Sequence, residues 1–238
     1  MNIKEILRRI ILPNTYSEEA YLNYLRSRKV LIGHNVKVWS PNHTFIDVTK
    51  PYLIKIGDNV KITQGVTILA HDYSHSVLKK QFGLFKGGTL PVTIGNNVFI
   101  GFNSTILMGT TIGDNCIIGA NSLVKGSFQD NSVIAGNPAR IICTTEQLWE
   151  KESKHWIENA KIVAKSIFKN KGGILPTIEE MSDAYVCLYL PRDEKNLSNY
   201  RKFFDLTGDD YEDYKRNFYN YPPPYTSFED FLNDIDFN

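Results

Sequence analysis

The sequence predicts a mainly β fold, a parallel solenoid of hexapeptide turns. Three observations carry that expectation. Apolar residues recur every six positions without a miss, at Ile94, Ile100, Ile106, Ile112, Ile118 and Val124. Glycine follows four of them, at Gly95, Gly101, Gly113 and Gly119. Small or β-branched residues stand four places after the apolar position, at Val98, Ser104, Thr110, Cys116 and Ser122. A period of six fits neither a helix nor a flat strand. It fits a stack of short strands joined by corners, three hexads to a coil, with one apolar residue per hexad pointing inward.

The elements follow in chain order. Residues 1–29 read as one or two short helices. Ile3, Ile6, Leu7 and Ile10 share one helical face, and Lys4, Arg8 and Arg9 interrupt the apolar run. Those charges argue against a secretory signal. A basic amphipathic helix can rest on a membrane, but packing on its own protein is the commoner outcome and the one expected.

The repeat occupies residues 30–142. Upstream of the regular block, Ile56-Gly57, Ile62 and Ile68 keep the spacing, as do Ile32-Gly33 and Val38. Glycine and the pairs Asp58-Asn59, Asn96-Asn97 and Asp114-Asn115 suit the backbone of corners. The rhythm stops after Ile68, in the stretch Ala70-His71-Asp72-Tyr73-Ser74-His75, and resumes at Ile94. Residues 72–91 are therefore a protruding loop, and long insertions in compact folds are commonly functional.

Residues 143–173 read as a helix. Thr144 and Gln147 have capping-box spacing, and Trp149, Trp156, Ala160, Val163 and Ile167 follow at helical intervals before Gly172-Gly173. Residues 174–238 are rich in Tyr and Phe, contain Tyr221-Pro222-Pro223-Pro224-Tyr225, and read as a loop-rich extension.

Composition narrows the function. A net charge of +1 gives no basic excess for binding nucleic acid. No apolar run is long enough to span a membrane. The cysteines, Cys116, Cys143 and Cys187, are three and far apart. That argues against a disulfide framework and for a reducing, cytoplasmic location.

The hexads end in Val133-Ile134-Ala135-Gly136-Asn137-Pro138-Ala139-Arg140. With the [Ile/Val/Leu]-Gly-x4 repeat, this resembles the hexapeptide-repeat acyltransferases, in the branch that acetylates sugars, polysaccharides and some drugs. The resemblance covers nearly half of the chain. It implies a left-handed parallel β-helix, acetyl-CoA as acetyl donor, a carbohydrate acceptor, and a homotrimer whose active sites lie between subunits. A triangular prism also offers flat faces for threefold packing.

Acetyl transfer to a hydroxyl needs a base and donors for the oxyanion. Histidine is the natural base. The hexad register runs through Ile68 to His71, leaving His71 on the rigid coil and His75 in the loop. In the resembling enzymes the catalytic histidine stands just before a projecting loop, which also matches His71. His75 shapes the acceptor site or sits in solvent. Phe82 and Phe85 stack on an acceptor or bury against a neighbouring subunit. The resemblance further implies that the Phe102 amide, in Val98-Phe99-Ile100-Gly101-Phe102, is the oxyanion donor, with Phe99 replacing the usual tryptophan as a wall. It places coenzyme A along Phe99, Gly101, Gly119 and Ala120, with Lys125 and Arg140 as phosphate-binding cations. A zinc site would need a third histidine beside His71 and His75, and none follows in the next coils, so no metal is expected. The alternatives are a xenobiotic O-acetyltransferase, an amino-sugar N-acetyltransferase, and a non-catalytic solenoid scaffold.

Overall fold

The computed structural model describes residues 3–84, 87–199, 201 and 211–237. Phe85, and the side chains of Ile3 and Lys4, lie outside the described residues. The chain divides between Leu148 and Trp149 into two compact units.

The first unit is built on three parallel sheets. The first face contains Leu31–Ile32, Ile54–Ile56, Val92–Ile94, Thr111–Ile112 and Ser127–Phe128. The second contains Lys37–Val38, Lys61–Ile62, Phe99–Ile100, Ile117–Ile118 and Ser132–Gly136, and the third Phe45–Ile46, Thr67–Ile68, Thr105–Ile106 and Leu123–Val124. The chain visits the faces in turn, and each circuit lays one strand beside the last. In the regular block Phe99 pairs with Ile117 and Thr105 with Leu123, so three hexads make one circuit.

The hexad residues Ile56, Ile62, Ile68, Ile94, Ile100, Ile106, Ile112, Ile118 and Val124 are all buried, as their period requires. A second position is buried with them. Val98, Ser104, Thr110, Cys116 and Ser122 also point inward, so each hexad contributes two inward residues rather than one. The corner leaves little room, which is why this second residue is small and can be polar. Buried hydroxyls there are satisfied by backbone: the Ser104 hydroxyl donates to the Gly119 carbonyl at 2.9 Å.

The corners divide their work between two residue types. Asn59, Asn97 and Asn115 adopt left-handed φ values of 54–57°. The Asn97 amide side chain donates to that of Asn115 on the next coil at 2.8 Å. Gly101 has a different task. A Cβ there would lie 2.6 Å from both the Ala120 nitrogen and the Ile118 oxygen, so close approach of the next coil, and not an unusual φ, demands glycine.

Two helices precede the first coil, α1 (Ile3–Ile11) and α2 (Glu18–Ser27). Helix α2 is capped by Ser17 and buries Tyr21, Leu22 and Leu25. It also completes strands that lack a neighbour. The Tyr21 hydroxyl donates to the Thr44 carbonyl (3.0 Å) and accepts from the Ile46 amide (3.2 Å). Glu18 accepts from the Val38 amide at 2.9 Å. Burial pushes the Tyr21 phenol up to about 12. Tyr21→Phe leaves two backbone groups of the outermost strand unpaired. It is expected to cost about 1–3 kcal/mol in denaturant titration without altering the coil core.

The insertion departs from the expected loop. His71–Asp72 and Gly88–Thr89 pair as antiparallel strands, and α3 (His75–Phe82) lies between them. Gly83, left-handed at φ 76°, ends the helix. The sequence signal was weak because α3 buries no residue, which leaves no apolar stripe to read.

Helix α4 (Thr145–Asn170) starts with the predicted capping box. The Thr144 hydroxyl accepts from the Gln147 amide (3.1 Å), and the Gln147 side chain accepts from the Thr144 amide (2.9 Å). Among the described residues, the C-terminal segment is more helical than the loop-rich extension expected. It holds α5 (Ile178–Tyr185), α6 (Glu194–Asn199), α7 (Tyr211–Asn220) and α8 (Phe228–Asn233). Several of its aromatic residues join a core of their own. Tyr189, Phe218 and Phe231 pack with Ala160, Ala164, Met181 and Leu197. Helices this short carry too few periods to stand out in sequence.

Candidate active site

The structure supplies His71 with a partner that the sequence reading missed. Asp47, fully buried, directly follows Phe45–Ile46 on the third face. Its Oδ2 bonds His71 Nδ1 and accepts from the Ala70 amide at 3.1 Å, and its Oδ1 accepts from the Thr49 amide at 2.8 Å. Burial works to raise the Asp47 pKa. The bonds from the Thr49 amide, the His71 ring, the Thr49 side chain and the Ala70 amide outweigh it, and the group sits below its ordinary value. With Nδ1 bonded to a carboxylate, Nε2 is the nitrogen left to accept a proton.

Asp47 could have been found by counting coils, since it hydrogen-bonds through its amide to the Ile68 carbonyl one circuit on. The first circuit is irregular, however. Asn35 and Asn59 are 24 residues apart, whereas Asn97 and Asn115 are 18 apart. The short helical turns at Pro41–His43 and Pro51–Leu53 take up much of the difference.

His71 is mostly buried and rests edge-on against the exposed Tyr73 ring, 4.4 Å between centroids. It heads the antiparallel pair, opposite Thr89. Asp72 accepts from the Ser74 amide (2.7 Å) and hydroxyl (2.8 Å), which turns the chain into α3. Those two bonds hold the Asp72 pKa below its ordinary value, with smaller help from the charges of His75 and Lys125. His75 opens α3. Its Nε2 lies 3.1 Å from where a Cβ on Gly88 would stand, so it packs on the returning strand. Phe82 is exposed on α3, and Phe85 lies outside the described residues.

The predicted site residues fall into two groups. At the edge where the chain leaves the third face stand His71, His75 and Lys125. Lys125 is in register with Leu107 and so with Leu69, two coils away. At the edge where the chain enters that face stand Gly101, Phe102, Gly119, Ala120 and Arg140. Phe102 is in register with Ala120, and Arg140 with Ala135 beneath Gly119. Phe99 is exposed on the adjoining second face.

The width of the third face separates these groups, roughly 15–20 Å for five or six extended residues. Within one chain, the His71 ring and the Phe102 amide do not meet. Among the described residues the Phe102 amide donates to no protein acceptor, while its carbonyl accepts from the Asn121 amide at 2.7 Å. The Arg140 guanidinium donates to the Ala139 carbonyl and is otherwise open to solvent.

Comparison with known proteins bears on this arrangement. A sequence profile described as the hexapeptide repeat of succinyl-transferase matches residues 91–125. Protein CapG of Staphylococcus aureus is 40% identical over 147 residues, which are 62% of this chain and 82% of CapG. Galactoside O-acetyltransferase of Escherichia coli is 36% identical over 122 residues, 51% of this chain and 56% of that enzyme. The chain thus spans little more than half the length of the second relative. A solved galactoside acetyltransferase in complex with coenzyme A aligns over 60% of this chain and 84% of its own, at 26% identity and a TM-score of 0.41. The six-residue repeat, the three parallel sheets that it builds and the extent of the CapG match lead to one conclusion: the chain belongs to the hexapeptide-repeat acetyltransferase family.

Proposed function

We propose that the chain is an acetyl-CoA-dependent O-acetyltransferase acting on a carbohydrate hydroxyl. One observation carries the reading, the buried Asp47 carboxylate bonded to His71 Nδ1. An imidazole held in that orientation is a mounted base. The three sheets are read as a left-handed β-helix, and the working unit as a homotrimer. The two edges of the third face support the trimer, because a neighbouring copy is needed to bring a Phe102 edge to a His71 edge.

In this reading His71 Nε2 takes the proton as the acceptor oxygen attacks the thioester carbonyl. The open Phe102 amide donates to the oxygen that gains charge. The carbon–sulfur bond then breaks, and His71 returns the proton to the departing sulfur. No acyl-enzyme is required. Acetyl-CoA fits the entry edge on chemical grounds. Gly119 and Ala120 are small, the Phe102 amide is open, and Arg140 offers a cation for phosphate. Lys125 supplies a second cation from the opposite edge. The carbohydrate acceptor is supported by the galactoside O-acetyltransferase relative. A cytoplasmic location is supported by three free thiols. Among the described residues, no helix is long and apolar enough to cross a membrane.

The test is thiol release from acetyl-CoA in the presence of a saccharide panel. Acceptor-dependent release that His71→Ala abolishes supports the reading. Release that neither His71→Ala nor His75→Ala lowers defeats it.

Asp47→Asn separates orientation from mere bulk. An asparagine amide turned toward Nδ1 favours the tautomer that carries its proton on Nε2, which cannot act as base. We expect kcat to fall about 10²-fold or more with KM changed little. The Asp47 carboxylate has a lowered pKa in the fold, so it contributes stability above its unfolded value and loses it as pH falls through the folded one. Asp47→Asn should therefore flatten the acid side of the stability curve, measured by thermal melts across pH.

A further inference from the structure

We propose that α1 docks flat on an anionic lipid bilayer and holds the enzyme at a membrane surface. The expected packing of this helix on its own protein is not what the structure shows. Ile6, Leu7, Ile10 and Ile11 are all exposed, the last two at 71%, and none joins the core of the first unit. They form two adjoining i, i+4 rows, Ile6 with Ile10 and Leu7 with Ile11, which make one continuous apolar strip. At 3.6 residues per turn, Arg8 falls on one flank of that strip and Arg9 on the other. The Arg9 guanidinium lies over the Tyr16 ring, 4.8 Å from its centroid.

This distribution matches one occupant. An apolar strip bordered by guanidinium groups suits the boundary between acyl chains and negatively charged headgroups, where long basic side chains reach back to phosphate. Nine residues of helix measure about 14 Å, too short to cross a hydrocarbon core of about 30 Å, so the helix lies in the surface plane. Anchorage to the rest of the chain comes from α2, whose Tyr21, Leu22 and Leu25 are buried in the coil core. A second copy of the chain is the competing occupant.

The full chain is mixed with vesicles of phosphatidylcholine alone, or of phosphatidylcholine with phosphatidylglycerol, and the sedimented fraction is measured at low and high salt. Binding to the anionic vesicles only, weakened by salt, is the expected result. Ile10→Glu and the double change Arg8→Glu, Arg9→Glu should each weaken that binding about tenfold. All three positions lie outside the core, so thiol release with a soluble saccharide should stay as in the parent, as should thermal unfolding of Ile10→Glu, while the double change also gives up the Arg9–Tyr16 contact. Absence of binding to anionic vesicles overturns the proposal. So does unchanged binding by Ile10→Glu. An altered oligomer mass in Ile10→Glu by light scattering, without vesicle binding, assigns the strip to a second copy and overturns it too. Because vesicle binding is read without turnover, its failure is separate from any failure of the acetyltransferase reading.

Discussion

His71→Ala is expected to lower kcat by about 10²–10⁴-fold while leaving the KM for acetyl-CoA within a small factor. The size follows from what is lost. A hydroxyl attacks a thioester poorly unless its proton is removed as the bond forms, and the His71 ring is held by a buried carboxylate. Coenzyme A binding should survive, since His71 is only one member of the exit edge and the entry edge is untouched. His75→Ala is the control. Its ring packs on Gly88 and not on Asp47, so its removal should loosen the projecting arm of residues 71–89 and cost far less in kcat. Equal losses in the two variants would remove the distinction between them.

The second large effect concerns assembly. His71→Ala impairs the exit edge, and Ala120→Trp obstructs the entry edge. Each protein alone should be nearly inactive. If every site takes its exit edge from one copy and its entry edge from the next, equal mixing with subunit exchange restores both good edges at about one site in four. About a quarter of the parent activity should therefore appear from two inactive preparations. A site contained in one chain would give no recovery at all. The experiment asks directly whether a neighbouring copy closes the separation of His71 from Phe102 across the third face.

How far the sequence led depended on periodicity. From Ile94 to Val124 the spacing is regular, and register, inward residues and corners all follow from it. Register also separates His71 from His75, one at the foot of the arm and one on its helix. Asp47 escaped because the first circuit has extra residues around Pro41 and Pro51, and a carboxylate without a visible partner reads as surface. The two edges escaped for another reason. A linear motif brings Phe102 and Ala120 into one list with His71, whereas their positions around a coil depend on which hexad of three each occupies. Helices α5 to α8 were lost in aromatic composition, since short helices around a shared core need contacts distant in sequence. The exposure of α1 was also illegible, because an amphipathic pattern is the same whether the apolar side meets protein, lipid or water.

Tyr21 has a consequence beyond the strength of two hydrogen bonds. A stack of parallel strands grows by addition, and any bare end offers the next chain a template. The hydroxyl of Tyr21 and the carboxylate of Glu18 occupy donor and acceptor positions that an incoming strand would use. At the other end, Ala139–Thr144 runs antiparallel to Ser132–Gly136 and breaks the pattern that a further parallel coil would follow. The repeat is thus terminated chemically at one end and geometrically at the other. That limits its length to one molecule and keeps a fold built for propagation from becoming a fibre.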